Sequence, residues 1–568
     1  MFDLANDRLS YSELLRPDAG YTLDFAVGMT YSLDLEALLG VPVSMGMLDE
    51  ADSESMSSPL FILEAIRKSS DRIALFCNAG CIKLPDKIQS VYSLLENSVF
   101  QVKLKQTSNF HPKIWVLKYS QDGSPSYIKL LVMSRNLTFD SSIDISAALR
   151  GEIGTEQGEK NRPLADFLIY VSRFSNGKKK QQVFALAEEV LKVPAFEVSP
   201  PFEDYDFYPI GIPGYGGKDF PLFDQKYDLF AVSPFLSDET IQKMTSFNGR
   251  RSLVTRKSSV TPAVMEAFEN VYVTKDVLND NEFGAKQDIH AKIYYTTTRD
   301  GNYLYLGSAN ASQNAFNKNI ECLLRLRYKL YGMGYQRFSA DFIPVENCPY
   351  EKLTSVPELP AEDKRKKEID RAMREAVCAL QHATVSSDGN HYSIQVYARS
   401  LKSGEDIKIA PLQRPDLVRP LSEENTFSEL LLKELSEFFV LSLETQKLVV
   451  KLKASGMPKG RDEAIYRSII DSRAKFMSYL SFVLSGDLSE ASDGTDALAE
   501  TMLQSEVLGF SKKSYSAIYE QMLRVFHQSP AKLKGIADMV QRLDAAVVGD
   551  EFRQMFAQFE LAAKKVHR

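Results

Sequence analysis

The chain has 568 residues, too many for one hydrophobic core, so roughly two to four domains are expected. Hydrophobic residues make up 44% and charged residues 25%, the balance of an ordinary folded protein. The net charge of −7 excludes nucleic-acid binding through bulk charge, so any basic groove must be local. The N-terminal stretch has no basic flank leading into an apolar run, and no segment approaches the roughly 18 apolar residues that span a bilayer. The five cysteines (Cys77, Cys81, Cys322, Cys348 and Cys378) are scattered without zinc-ligand spacing, so free thiols in a reducing cytoplasm are expected.

In chain order, YTLDFAVGMTYSLDLEALLG (21–40) predicts a strand, a turn and a helix capped by Ser32 with Leu35, Leu38 and Leu39 on its apolar face. DRIALFCNAG (71–80) predicts a further strand. About two hundred residues on, KYDLFAVSPFLSDETIQKM (226–244) repeats strand, turn and helix with Ser237 as the cap, and RRSLVTRKSS (250–259) repeats the next strand. The alternation predicts an α/β fold built as two similar halves, residues 1–200 and 201–355, related by a pseudo-twofold. A charged linker helix is expected over 356–376. The alternating 391–401, the extended 407–412 and the hairpin-like 438–454 predict a small β domain over 377–458. From 459 to 568 the spacing turns helical, with Ile465, Ile469, Phe476, Tyr479, Leu480 and Val483 on one face. A polar stretch at 486–500 interrupts the pattern, and a helix capped by Ser529 with Pro530 at its first position follows.

Two of the six histidines stand in matching surroundings. His111 and Lys113 in NFHPKIWVL are followed by Ser134, Arg135 and Asn136, and then by Asp144. His290 and Lys292 in DIHAKIYYT are followed by Ser308 and Asn310, and then by Glu321. On a strand, His and Lys two apart face the same side. Phosphoryl transfer needs this inventory. A neutral imidazole attacks phosphorus to give a phosphohistidine, and a second imidazole protonates the leaving oxygen and later activates water. Lys113, Lys292, Asn136 and Asn310 supply donors to the non-bridging oxygens, while Asp144 and Glu321 are placed to orient the histidines. The scheme requires no metal and no cofactor.

The duplicated His-x-Lys motif, each copy with a downstream Ser-x-Asn turn, resembles the phospholipase D superfamily over roughly residues 20–330. The second copy, with HAK, LGSAN and NIE, is the stronger match; in the first, Met133 replaces the glycine of the turn. The aspartate seven residues after each histidine is absent, Lys118 and Thr297 standing there, so the resemblance is closest to nuclease-like branches. It implies a metal-independent phosphodiesterase, expected to cleave DNA or RNA, with one histidine as nucleophile and the other as acid; His111 is the working choice for nucleophile. A phospholipase or phosphatidyl transferase, and a catalytically quiet nucleic-acid scaffold, are the alternatives. For nucleic-acid contacts the candidates are Arg135, Arg250 and Arg251, while Trp115 either packs under the site or stacks on a base. The layout of paired motifs, β domain and helical domain resembles nucleases of bacterial genome-defence (antiphage) systems. That layout implies a helicase-type ATPase partner, since the chain has no Walker-type loop of its own. Sequence does not fix the oligomeric state. A fragment ending near residue 355 is expected to retain some cleavage.

Overall fold

The computed structural model of the chain describes residues 11–46, 58–139, 142–275, 289–329, 332–344, 348–358, 364–389, 391–485, 518, 521–526 and 530–566. Strand β1 (Thr22–Thr30) is buried over its last six residues, which is why its apolar run is unbroken there: both faces are covered. β2 (Ile73–Asn78) and β3 (Val99–Val102) lie parallel to it on one side. β4 (Ile114–Gln121), β5 (Ser124–Met133) and β6 (Ser146–Glu152) follow antiparallel on the other, giving the order β3-β2-β1-β4-β5-β6.

β7 (Phe202–Ile210) belongs to a second sheet with β8 (Asp228–Val232), β9 (Arg250–Thr255), β10 (Asn270–Thr274), β11 (Ile293–Thr298), β12 (Gly301–Gly307), β13 (Glu321–Tyr328) and β14 (Tyr350–Lys352). Its order is β14-β10-β9-β8-β11-β12-β13-β7. Without the edge strands β14 and β7, order and directions repeat those of the first sheet strand for strand. The fold is the duplicated α/β arrangement that the repeats predict. One face of each sheet enters a common core, with Val27 and Phe76 from the first and Phe230 and Tyr295 from the second. The two bridges Phe110↔Ile320 and Ile143↔Ile289 then join the halves reciprocally across the pseudo-twofold.

Parallel neighbours require crossovers, and helices supply them: Leu35–Ser44 and Pro59–Ser69 between β1 and β2, Asp238–Met244 between β8 and β9. Ser237 stands at the N-cap position as expected, although its Oγ donates to Thr240 Oγ1 at 2.9 Å and caps no backbone N–H of the helix; the first helix is capped by Asp34, whose Oδ1 accepts from Glu36 N at 3.0 Å. The expected cap, Ser32, instead donates to Cys81 O at 3.3 Å. The chain stays extended two residues longer because Leu33 bridges both Ile82 and Leu137. The Ser529 cap and the 486–500 stretch lie outside the described residues.

Beyond the second half, two four-stranded sheets between Leu380 and Ser455 enclose a separate core. The charged helix expected as a linker runs Lys364–Ala379 and packs on this unit: Ile369, Ala372, Met373, Ala376 and Val377 bury one stripe in that core. Helices Arg461–Ile469, Arg473–Ser485 and Pro530–Arg542 pack on the helical layer of the first half, against Pro59–Ser69 and Ser90–Asn97, and share one apolar cluster with Leu23, Phe61 and Trp115. Buried charges tie the parts together. Glu96 pairs with Arg461 at 2.5 Å and accepts from Ser436 Oγ at 2.8 Å, while Tyr479 Oη donates to Glu64 at 2.9 Å. The first half therefore borrows part of its core from beyond residue 355.

Candidate active site

In each half the strand after the His-x-Lys motif runs antiparallel to the central strand. Ile114 pairs with Met29 and Ile293 with Val232, so both motifs emerge at the carboxyl ends of β1 and β8. In open α/β sheets that edge is where ligands bind, because the strand order turns there and leaves a crevice. The Ser-x-Asn turns follow β5 and β12 at the same edge.

The two halves orient each other's histidines. His111 Nδ1 lies 2.8 Å from Glu321 Oε2, and His111 N donates to Ile320 O at 2.8 Å. Reciprocally, His290 N donates to Ile143 O at 3.0 Å, and His290 Nδ1 meets Ser142 Oγ at 2.8 Å. Ser142 passes the contact on to Asp144 Oδ2 at 3.1 Å. Glutamate reaches its imidazole directly; aspartate, one methylene shorter, reaches through a hydroxyl. Each carboxylate is also held by the serine of its own half. Ser308 Oγ donates to Glu321 at 2.6 Å and Ser134 Oγ to Asp144 at 2.8 Å. Asn319 Nδ2 donates the third bond to Glu321, at 3.1 Å.

A carboxylate only accepts, so Nδ1 of His111 carries the proton and Nε2 presents its lone pair. Burial pushes the His111 pKa down, against the pull of Glu321, which favours the neutral ring. About 18% of the side chain remains open. Glu321, accepting three donors, is held below the usual carboxylate range by His111 and Lys113 although its burial opposes this. Lys113 is buried, donates to His111 O at 2.8 Å, and is depressed to about 7 by desolvation and then by the charge of Lys292. Lys292 donates to His290 O in the same way. Two ammonium groups close enough to repel one another mark a place built for an anion.

Asn136 Oδ1 accepts from Ser32 N at 3.5 Å, which leaves its amide NH₂ to donate. Asn310 is buried, and its Oδ1 has no hydrogen-bond partner among the described residues. A buried amide without a partner is uncommon, and a ligand oxygen would satisfy it once the amide turns its NH₂ outward.

The structure thus gathers His111, Lys113, His290, Lys292, Asp144, Glu321, Ser134 and Ser308 into linked contacts, with both asparagines at the same edge. It does not bring Arg250 and Arg251 there. Arg250 forms a two-pronged pair with Asp228, at 2.7 and 3.1 Å, and Arg251 donates to Thr245 O at 3.2 Å. Both lie at the start of β9, about 15 Å of strand from the site edge. Arg135 sits in its turn, half-buried, with its guanidinium 3.5 Å from Thr138 O. Trp115 packs: it is buried in the outer core and donates to Tyr11 Oη.

Ser142 and Asn319 were not singled out by the sequence, although each stands two residues before its carboxylate. Tyr31 packs against the His111 ring at a tilt of 56°, centroids 4.9 Å apart. Arg256 lies in the basic run that suggested Arg250, but just past the carboxyl end of β9. It donates to Ile289 O at 3.2 Å, beside His290, and covers the half-exposed ring of Phe235 at 4.6 Å. The direction of a parallel strand, not the density of charge, picks the arginine at the site. Among the described residues no cluster of three His, Cys, Asp or Glu side chains is placed to hold a metal ion.

The class these features define is an α/β protein whose two halves contribute reciprocally to one site. No protein-family model matches the chain, and no curated protein is similar to it in sequence. Among solved structures, yeast tyrosyl-DNA phosphodiesterase aligns with 55% of this chain and 84% of its own, at 13% identity and a TM-score of 0.34. Phosphatidylserine synthase of Haemophilus influenzae Rd KW20 covers 63% of this chain and 89% of its own, at 10% identity and a TM-score of 0.34. Polyphosphate kinase from Porphyromonas gingivalis covers 54% and 40%, at 9% identity and a TM-score of 0.30. At such values the functional reading rests on the site itself.

Proposed function

We propose that the chain is a phosphodiesterase acting through a phosphohistidine, and that its substrate is a nucleic acid. The observation that carries this is the reciprocal orientation of two histidines, His111 by Glu321 and His290 by Ser142 and Asp144, around two neighbouring buried lysines. In the first step His111 Nε2 attacks phosphorus, a P–N bond forms and the P–O bond to the leaving group breaks. The leaving oxygen takes its proton from His290. In the second step His290 takes a proton from water, the water oxygen bonds to phosphorus and the P–N bond breaks, restoring His111. Lys113, Lys292 and the amides of Asn136 and Asn310 hold the non-bridging oxygens throughout. Every donor in this scheme is a side chain of the protein. Nucleic acid is favoured by the Arg256–Phe235 pair beside His290, a cation over an exposed ring that suits a phosphate and a stacked base. The domain layout is what supports a genome-defence setting with a helicase-type ATPase partner.

The test is cleavage of labelled single- and double-stranded DNA and RNA in EDTA. Wild type is expected to cleave, and His111→Ala and His290→Ala to lose activity by orders of magnitude. Near-wild-type cleavage by either variant would sink the shared-site scheme. Cleavage of phospholipid vesicles but of no polymer would move the substrate to lipid.

A further inference from the structure

Beside His111 lies a second cavity, with a volume of about 270 Å³, between the carboxyl edge of the first sheet and the helix Lys364–Ala379. Tyr31, Asn78–Cys81 and Val102–Gln106 line it from the first half, Asp370, Arg374 and Cys378 from the helix. These first-half segments leave the ends of β1, β2 and β3, so the cavity continues the site crevice along the sheet edge. Two contacts join it to the catalytic motif. Tyr31 packs against the His111 ring, and Asn78 Oδ1 accepts from Phe110 N at 2.8 Å.

Its charge is one-sided: Lys103, Lys105 and Arg374 stand against a single carboxylate, Asp370. Lys103 donates to Leu380 O at 2.5 Å, and Asp370 accepts from Gln446 Nε2 at 3.2 Å. Lys105 and Arg374 are exposed and have no ion-pair partner among the described residues. Two cations from different domains, converging over an aromatic floor, match a phosphate linked to a flat ring. The volume suits one small-molecule-sized group and not a duplex.

We propose that this cavity seats the nucleotide next to the scissile phosphate on the His111 side, as single strand, with Lys105 and Arg374 on its phosphate and Tyr31 beneath its base. The proposal rests on the phosphodiesterase reading and assigns the β domain a role in choosing the substrate: its helix closes one wall of the cavity.

The measurement is fluorescence anisotropy with labelled single-stranded DNA and RNA on the full chain carrying His290→Ala, across a range of salt. Adding Lys105→Ala and Arg374→Ala is expected to weaken binding about 10-fold. The slope of log K against log salt should become shallower by about 0.7, the counterions of one single-strand phosphate. Lys178→Ala, beside Asp71 at the far end of the sheet, controls for general charge and should change nothing. An unchanged slope, an equal loss with Lys178→Ala, an equal loss for duplex, or no binding of either single strand by the parent would overturn the proposal. Circular dichroism melts matching the parent confirm that the variants fold. Separately, wild-type turnover of bis(p-nitrophenyl) phosphate in EDTA tests the phosphodiesterase reading alone, so failure there is distinguishable from failure of the cavity.

Discussion

Lys113 is the residue whose chemistry depends most on what occupies the site. Buried and facing Lys292, it titrates near 7, so it is charged below that pH and loses its charge as pH rises. A bound phosphodiester, being an anion, would draw the proton back. With a p-nitrophenyl ester, whose leaving group takes no proton from His290, kcat/KM is therefore expected to fall as pH rises through about 7, and a pH–rate profile checks this. Lys113→Arg, whose guanidinium stays protonated, should lose that limb even if its absolute rate is low. The histidine supports separate by role. Glu321→Gln removes the negative charge that fixes His111, the proposed nucleophile, and is expected to cost about 10- to 100-fold with any leaving group, as changes to orienting groups do. Ser142→Ala breaks the path from His290 to Asp144, so its effect should be large for an alkoxide and small for p-nitrophenolate, which leaves without protonation. A leaving-group series measures both, and the same dependence in the two variants would refute the assignment of roles.

At the scale of elements, the two Ser-x-Asn turns differ in a way that fixes tolerance. Gly307 has φ +150° and lies so close to β13 that an added Cβ would meet Cys322 O at 2.5 Å. Gly307→Ala is expected to cost about 1–3 kcal/mol, read as a lower Tm, whereas Met133 already fills the matching place in the first half. The elements themselves were largely legible in the sequence. The strands around 73–78, 250–255 and 391–398, the hairpin over 438–451 and the N-cap position of Ser237 follow from β-branched runs, period-2 alternation and turn chemistry, which are local properties. The two motifs were legible because strand spacing puts His and Lys on one side. The reciprocity of the site was not. Nothing local says that Glu321 serves His111 from the other half, or that Ser142 relays for Asp144, since these depend on how the two sheets meet. Arg250 and Arg251 misled for the same reason: composition locates charge along the chain, but strand direction decides which end of the sheet receives it.

At the scale of the whole molecule, the two halves that carry the motifs are not a detachable unit. Cutting near 355 would expose the apolar surface of the first half that packs against the C-terminal helices and strip Glu96 of its cation. Such a fragment is expected to be insoluble, in contrast to the cleavage expected of it from sequence. Arg461→Ala in the full chain should cost about 3 kcal/mol or more, because it leaves a buried carboxylate without its pair, and thermal melting checks it. The reciprocal site carries a different consequence for how such a protein changes over time. Were the two halves identical subunits, every substitution would strike both histidines at once and no division between attacker and acid could be inherited. With both halves in one chain, a mutation reaches one histidine alone. The direct carboxylate at one and the hydroxyl relay at the other are the kind of divergence that only such covalent linkage permits to accumulate.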